Sequence, residues 1–398
     1  MKPPRKNRIR GWLLLAFAGL LSLCVLAAGI SALSNLNLPD HSPTVERLSE
    51  LDKARLEEVY HLRQTLGEEL WAGWGQASIP VILYNEEYAF LTGYPDPPDG
   101  WVKVPQNTPR GGPWEIVPDE TFMGNPYYRQ PLPGPGITPE AFAVLVGDRW
   151  TASMSTLDWM RIGLRNQIRE DLPAPFKYIL PYRLTSKILV NSSDWYISSV
   201  LHESFHTFQG MTAPSRLADA ENIQITAGDR YPQEADGFTA AWQKELDLLG
   251  DAVLTPDLEE ARNLARQFLA QREARRKEFN LEPEMVDYER QREWLEGLAK
   301  YTELAIWKQA SQTPGYQPVA ALQADPEFKG FATFEQRWTQ ETAQIKRSAG
   351  QDGDVRFYYS GMAQAFLLDK LTPGWKSSIF EKNVFLEDIL RTTLESHT

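Results

Sequence analysis

The chain opens with an uncharged, mostly apolar run from Gly11 to Leu33, placed behind Lys2, Arg5, Lys6, Arg8 and Arg10. Those 23 residues suffice to cross a bilayer as one helix and exceed the usual apolar core of a cleaved signal peptide. The basic cluster belongs on the cytoplasmic side, so everything after Leu33 is predicted to lie outside. An uncleaved anchor over residues 1–33 is the preferred expectation. Small-residue sites at Ala27-Ala28-Gly29 and Ala32-Leu33-Ser34 leave cleavage open. Leu23 is too bulky a neighbour for Cys24 to be a lipoprotein site.

Residues 34–43 (SNLNLPDHSP) read as a polar linker. Ser42-Pro43 then caps a predicted helix to about Leu66, with Val45, Leu48, Leu51, Leu56 and Val59 near helical spacing. Ile79–Tyr84 reads as a strand. Between Pro95 and Pro139 fall 12 of the 28 prolines. So many missing amide donors predict packed irregular loops rather than helix or central strand, with Trp101, Trp114, Tyr127 and Tyr128 as packed aromatics. Phe142–Gly147, Lys177–Leu180 and Lys187–Asn191 are short strand candidates. Helical patterns dominate afterwards. One opens at Thr255-Pro256 and places Leu258, Ala261, Leu264, Ala265, Phe268 and Leu269 on one face. The expected fold is α+β: a sheet-containing lobe over residues 44–210, a helical lobe over 211–398, and a cleft between them.

At 398 residues, with 42% hydrophobic and 24% charged residues, the chain has the composition of a folded globular protein. Its net charge of -12 argues against nucleic acid or anionic headgroups as partners of the main domain. The one cysteine, Cys24, lies in the apolar run. The domain therefore has no disulfide and no thiolate, and any metal must be held by nitrogen and oxygen.

Such a donor set occurs at residues 202–206, His-Glu-Ser-Phe-His. Ser192 or Ser193 can cap a helix here and Gly210 can end it. Within that helix His202 and His206 project from one face and can reach one ion, with Glu203 beside them to take a proton from a water. His41, His61 and His397 lie in the linker, on a polar-faced helix and at the chain end, and read as solvated. A catalytic zinc needs a third protein ligand. Glu289, Glu293, Glu296 and Glu303 fall on one side of a later helix, and Gly297 in its middle suggests close approach to the metal helix. The bland alternative is a solvated acidic face paired with Arg290, Arg292 and Lys300.

His202-Glu203-x-x-His206, followed by Trp294-Leu295-Glu296-Gly297-x-Ala299-x-Tyr301-x-Glu303, resembles the gluzincin metallopeptidases, most closely the zinc aminopeptidase and leukotriene hydrolase branch. The resemblance implies a zincin-like lobe in which Zn2+ is held by His202, His206 and Glu296, with Glu303 supporting the site from behind. Downstream, Tyr358-Tyr359-Ser360-Gly361 is similar to the segment whose tyrosine, three residues before glycine, donates to the oxyanion. That implies the role for Tyr358, with Tyr359 as its alternate. Glu289, Glu293 and Glu234 remain competing ligands, the last because Gln233-Glu234-Ala235-Asp236 is similar to the ligand segment of membrane-bound zincins. Two features depart from the branch. Here 89 residues separate His206 from Glu296, from Thr207 to Leu295, which requires a helical insertion. The branch's Gly-x-Met-Glu-Asn segment is missing, and Phe122-Met123-Gly124-Asn125 does not replace it, so aminopeptidase specificity does not carry over. The expected activity is cleavage of a peptide or protein substrate by activated water, with Glu203 as general base. A non-catalytic zinc-containing binding domain and a hydrolase of non-peptide substrates are the alternatives.

Overall fold

A computed structural model of the chain describes residues 5–134, 136–189, 192–351 and 353–396. His397, assigned above to the solvated surface, and Lys2 lie outside them. Eight strands form one mixed sheet: β1 (Val81–Tyr84), β2 (Tyr88–Thr92), β3 (Trp101–Lys103), β4 (Pro109–Arg110), β5 (Glu115–Phe122), β6 (Asn125–Pro131), β7 (Phe142–Val146) and β8 (Arg149–Ser155). Their order is β4-β3-β7-β8-β1-β2-β6-β5. The β1–β8 pair is parallel, with Val81 opposite Ala152, and the other pairs are antiparallel. Side chains alternate across the pleat. Val81, Leu83 and Phe90 therefore enter the main core, while Ile82, Tyr84 and Leu91 enter a second core on the opposite face with Trp101 and Trp114.

The proline-rich stretch thus supplies β3 to β6 rather than irregular loops alone. It does so at the two ends of the sheet, where β4 and β5 are the edges and a missing amide breaks few ladder bonds. Trp101, Trp114 and Tyr127 are buried and Tyr128 is partly buried.

The helices are α1 (Arg5–Asn35), α2 (Glu50–Leu70), α3 (Leu157–Asp171), α4 (Phe176–Ile179), α5 (Tyr182–Leu189), α6 (Ser193–Thr212), α7 (Pro214–Ala227), α8 (Phe238–Leu254), α9 (Leu258–Glu278), α10 (Pro283–Arg292), α11 (Leu298–Gln312), α12 (Phe334–Ile345), α13 (Val355–Leu371) and α14 (Leu386–Glu395). Residues Leu15–Asn35 of α1 are long and apolar enough to cross a membrane. Lys177–Leu180 and Lys187–Leu189 belong to α4, its C-cap and α5, not to strands; Val190 and Asn191 lie outside the described residues. Short apolar runs do not separate strand from helix by periodicity. The N-cap of α2 is Ser49, in a reciprocal capping box with Asp52, and not Ser42. Ser42 instead donates its amide and hydroxyl to Glu86, each at 2.6 Å.

α6 lies on β7 and β8, with α2 and α11 packed along its other sides. Gly210 does not end α6, which continues to Thr212. A β-carbon at Gly210 would stand 2.6 Å from the Trp150 ring, so this glycine lets the helix settle on β8. The main core is continuous from Leu48 to Leu394.

Candidate metal centre

α6 carries His202 and His206 on successive turns of its buried side. Opposite them, one π-helical turn, Glu293–Gly297, interrupts the helix formed by α10 and α11. Such turns rotate the residues that follow and occur often at functional sites. Here the turn presents Glu296 to both imidazoles. Glu296 Oε2 lies 3.4 Å from His202 Nε2 and 3.3 Å from His206 Nε2. Ligands bound at 2.0–2.1 Å to a tetrahedral zinc stand about 3.3–3.4 Å apart, which matches both distances, and the donor atoms of the three residues all lie within 4.8 Å of one another.

The surrounding groups fix which ring nitrogen faces the centre. His202 Nδ1 lies 3.3 Å from Glu303 Oε2, and a carboxylate only accepts, so Nδ1 carries a proton and Nε2 is the nitrogen left to face a metal. His206 Nδ1 lies 2.9 Å from Gln209 Oε1. The amide nitrogen of Gln209 donates to the carbonyls of Trp294 (2.8 Å) and Leu295 (3.3 Å), inside the π turn. Its oxygen is therefore the end that meets His206, and Nδ1 is again the donor. Both imidazoles thus turn Nε2 toward Glu296. This is the orientation metal-binding histidines need.

Arg292 donates to the other oxygen of Glu296 at 2.6 Å and also pairs with Glu221 and Asp354. Glu303 is held in turn by Lys300 (2.5 Å) and Arg337 (3.1 Å). The acidic stripe is therefore buried, not a solvated face. Arg292 is buried, against the solvated pairing of the bland alternative, and sequence reasoning missed Gln209. The available signal for Gln209 was its position three residues after His206, one turn along the same face.

Glu203 is buried, and its Oε2 has no hydrogen-bond partner among the described residues. Burial pushes its pKa up to about 8, with His202 opposing and Glu296 and Glu303 adding to the rise. Burial works against a charged His202, but Glu296 and Glu303 raise it to about 10. Burial would raise Glu296 as well. His206 and Arg292 overcome that and hold it well below the usual carboxylate range. The neighbouring carboxylates thus favour the charged form of His202 and disfavour that of Glu203.

Tyr358, in the first turn of α13, stacks on His202 with ring centroids 5.5 Å apart and planes 8° from parallel. Burial and its hydrogen bond to Glu296 hold the phenol well above its ordinary pKa. Tyr359 points away and donates to Glu341 at 3.0 Å. α13 reaches the centre because Gly361 meets Gly297: a β-carbon on Gly297 would lie 2.4 Å from the Gly361 Cα. The glycine inside the glutamate-bearing helix therefore admits α13, not the histidine-bearing α6 as its sequence position suggested.

The competing glutamates lie elsewhere. Glu289 is clamped by Arg275 (2.6 and 3.0 Å) and Glu293 by Arg272 (2.9 and 2.6 Å), both arginines from α9. Glu245, Glu387 and Arg276 complete this buried network. Glu234 is exposed, outside the group of His202, His206 and Glu296. His41 and His61 are also remote from that group, pairing with Glu86 and the Gln317 carbonyl. The 89-residue separation is filled mainly by α7 to α10, with α8 and α9 as an antiparallel pair whose arginines hold α10 in place.

No known protein family, curated protein or solved structure matches this chain.

Proposed function

We propose that the protein is a zinc-dependent hydrolase of peptide bonds, held at the outer face of a membrane by α1. The observation that carries this reading is the meeting of His202 Nε2, His206 Nε2 and Glu296 Oε2 at zinc-ligand spacing, beside the unpartnered carboxylate of Glu203. Zinc bound there supplies Lewis acidity, polarising a carbonyl and lowering the pKa of a water to about 7. Glu203 takes the proton of the attacking water and passes it to the leaving amine. Tyr358, protonated at neutral pH, donates to the oxyanion that develops in the transition state. Glu303 and Gln209 hold the two imidazoles in register.

The cleft we assign to the substrate runs beside β7, in a zincin-like arrangement of sheet and α6. The Phe142 ring lies 4.9 Å from that of His206. The last β3–β7 pair is Lys103 with Val144, so Phe142 and Ala143 extend past β3. An extended peptide can add to such an edge through main-chain bonds. The substrate is then a peptide or protein chain, with no role for nucleic acid.

Burial of His202, Glu203, His206 and Glu296 favours a second reading, a zinc-holding binding domain without turnover. The glutamate following the first histidine speaks against it, because a structural site has no use for that residue. The test is zinc content and peptide-library cleavage of the full chain in detergent, wild type beside Glu203→Gln and Glu296→Ala. The reading requires about one zinc per chain, retained in Glu203→Gln without turnover and lost in Glu296→Ala. Turnover in Glu203→Gln would sink the mechanism. Bound zinc with no cleavage of any peptide by the wild type would move the protein to the binding-domain reading or to a non-peptide substrate.

A further inference from the structure

The surface where the chain leaves α1 has a composition unlike the rest of the molecule. α4 and α5 expose Phe176 (58%), Tyr178 (56%), Leu184 (58%) and Leu189 (54%). Other large exposed apolar side chains outside α1 are scattered along the chain, at positions such as Ile116, Met211 and Ile225. Scattered single residues are ordinary on a soluble surface, whereas a cluster marks a contact. From Leu172 to Ser193 there is no acidic residue, yet Lys177, Arg183 and Lys187 are present, in a chain of net charge -12. The average charge that disfavours anionic headgroups is reversed in this stretch.

The cluster is fixed in place. Asn35, the last residue of α1, donates its amide to the carbonyls of Tyr178 (3.2 Å) and Leu180 (2.8 Å). Arg183 donates to the Asn37 carbonyl at 2.9 Å, and buried Tyr182 donates to the Lys177 carbonyl at 2.8 Å. Both short helices pack against α1, and Ser31, within the apolar span, is buried. The exposed rings and leucines therefore sit beside the last turns of a helix apolar enough to cross a bilayer. That is the depth at which such a helix leaves the hydrocarbon and enters the headgroup layer.

We propose that α4 and α5 form a second membrane contact, with a lipid surface as occupant. Phe176, Tyr178, Leu184 and Leu189 enter the interfacial layer beside α1, and Lys177 and Arg183 meet the lipid phosphates. Aromatic and aliphatic side chains flanked by cations suit that layer, where the apolar body is buried and the charged head stays wet. The Lys177 ammonium lies 5.3 Å from the Tyr178 ring, so cation and aromatic side chain already sit together. One helix alone leaves a domain free to swivel on its linker. Two contacts on either side of Asn35 fix its tilt and height above the bilayer. The proposal rests on the reading of α1 as a bilayer anchor.

Full-length protein in phosphatidylcholine–phosphatidylglycerol vesicles tests both readings separately. A bimane probe on the native Cys24 reports α1. In a Cys24→Ser background, probes on Phe176→Cys and Leu184→Cys report α4 and α5, and Ile225→Cys on α7 is the solvent control. Quenching lipids carry the spin label either near the headgroup or near the chain end. Expected is loss of fluorescence at Cys24 with the deep quencher, loss at positions 176 and 184 with the shallow quencher, and none at 225. Quenching at Cys24 while 176 and 184 behave like 225 overturns the proposal, and the patch then belongs to a protein partner. Quenching at 176 and 184 without Cys24 keeps the docking surface and removes the anchor. Absence of quenching at all positions removes both.

Discussion

Gln209 holds His206 through its side-chain oxygen, 2.9 Å from Nδ1, because its amide nitrogen is engaged by the carbonyl of Trp294. One side chain thus ties the second histidine to the π turn that presents Glu296. Metal affinity depends on such outer partners, and their loss typically weakens binding 10–100-fold. Gln209→Ala is expected to lower zinc affinity by about that factor, while His206 itself is untouched. Competition against a chromogenic chelator measures it. Wild-type affinity in the variant would mean that α6 alone orients the ring.

The contact of Gly297 with Gly361 sets how closely α13 approaches the centre. A methyl group at Gly297 would stand 2.4 Å from the partner backbone, which no rotamer change relieves. Gly297→Ala is therefore expected to cost about 1–3 kcal/mol or more, despite the better helix propensity of alanine. Gly163→Ala, in α3 where a β-carbon meets nothing within 4 Å, is the control and should be neutral or stabilising. Urea unfolding of the two variants against wild type gives the comparison. Equal stability of Gly297→Ala and wild type would show that the helices can separate without loss.

These two contacts also show where the sequence stopped being legible. His202, Glu203 and His206 could be placed together because helical spacing is local and needs no knowledge of the fold. The same periodicity gave Glu289, Glu293, Glu296 and Glu303 as one stripe, and the family resemblance alone singled out Glu296 and Glu303. Their discrimination from Glu289 and Glu293 depended on Arg272 and Arg275, which come from another helix. No spacing rule reports such a partner. The role of Gln209 depended likewise on carbonyls released by a π turn 85 residues away. The same limit explains the fold. The strand at Ile79–Tyr84 carried its own pattern, whereas β3 to β6 were hidden by prolines, which a sheet accommodates on edge strands and at strand ends. At α4 and α5, the short apolar runs read as strands because so few residues do not separate the strand period from the helical one.

Glu387 joins α14 to α9, accepting from Arg276 (2.9 Å twice) and Arg272 (3.1 Å). Burial alone would raise its pKa above the ordinary 4.5, but Arg276 and Arg272, with Arg290 at 3.1 Å, overcome it and hold it at about 2. A carboxylate depressed in the folded state stabilises above its unfolded pKa and loses that contribution as pH falls through the folded one. Wild type should therefore lose stability between pH 4.5 and about 2. Glu387→Gln should lower stability at neutral pH by roughly 3–5 kcal/mol, because the arginines are left buried and underpaired. It should also flatten that acid limb. Urea midpoints across this pH range test both points, and parallel curves for the two proteins would assign the acid sensitivity to other carboxylates.

Tyr358 separates catalysis from metal binding. Its ring stacks on His202 and its hydroxyl reaches Glu296, and in the proposed mechanism that hydroxyl donates to the developing oxyanion. Removing one preorganised oxyanion donor costs about 10²–10³ in kcat. Tyr358→Phe keeps the ring, the stacking and all three zinc ligands, and is expected to show that loss with little change in KM or zinc content. Tyr359→Phe, whose hydroxyl serves Glu341, should stay near wild type. A fall in zinc content in Tyr358→Phe would instead place the hydroxyl in holding Glu296. Equal losses in the two variants would mean that α13 acts through packing alone. Steady-state kinetics on the best library peptide, with zinc measured on the same samples, distinguishes the three outcomes.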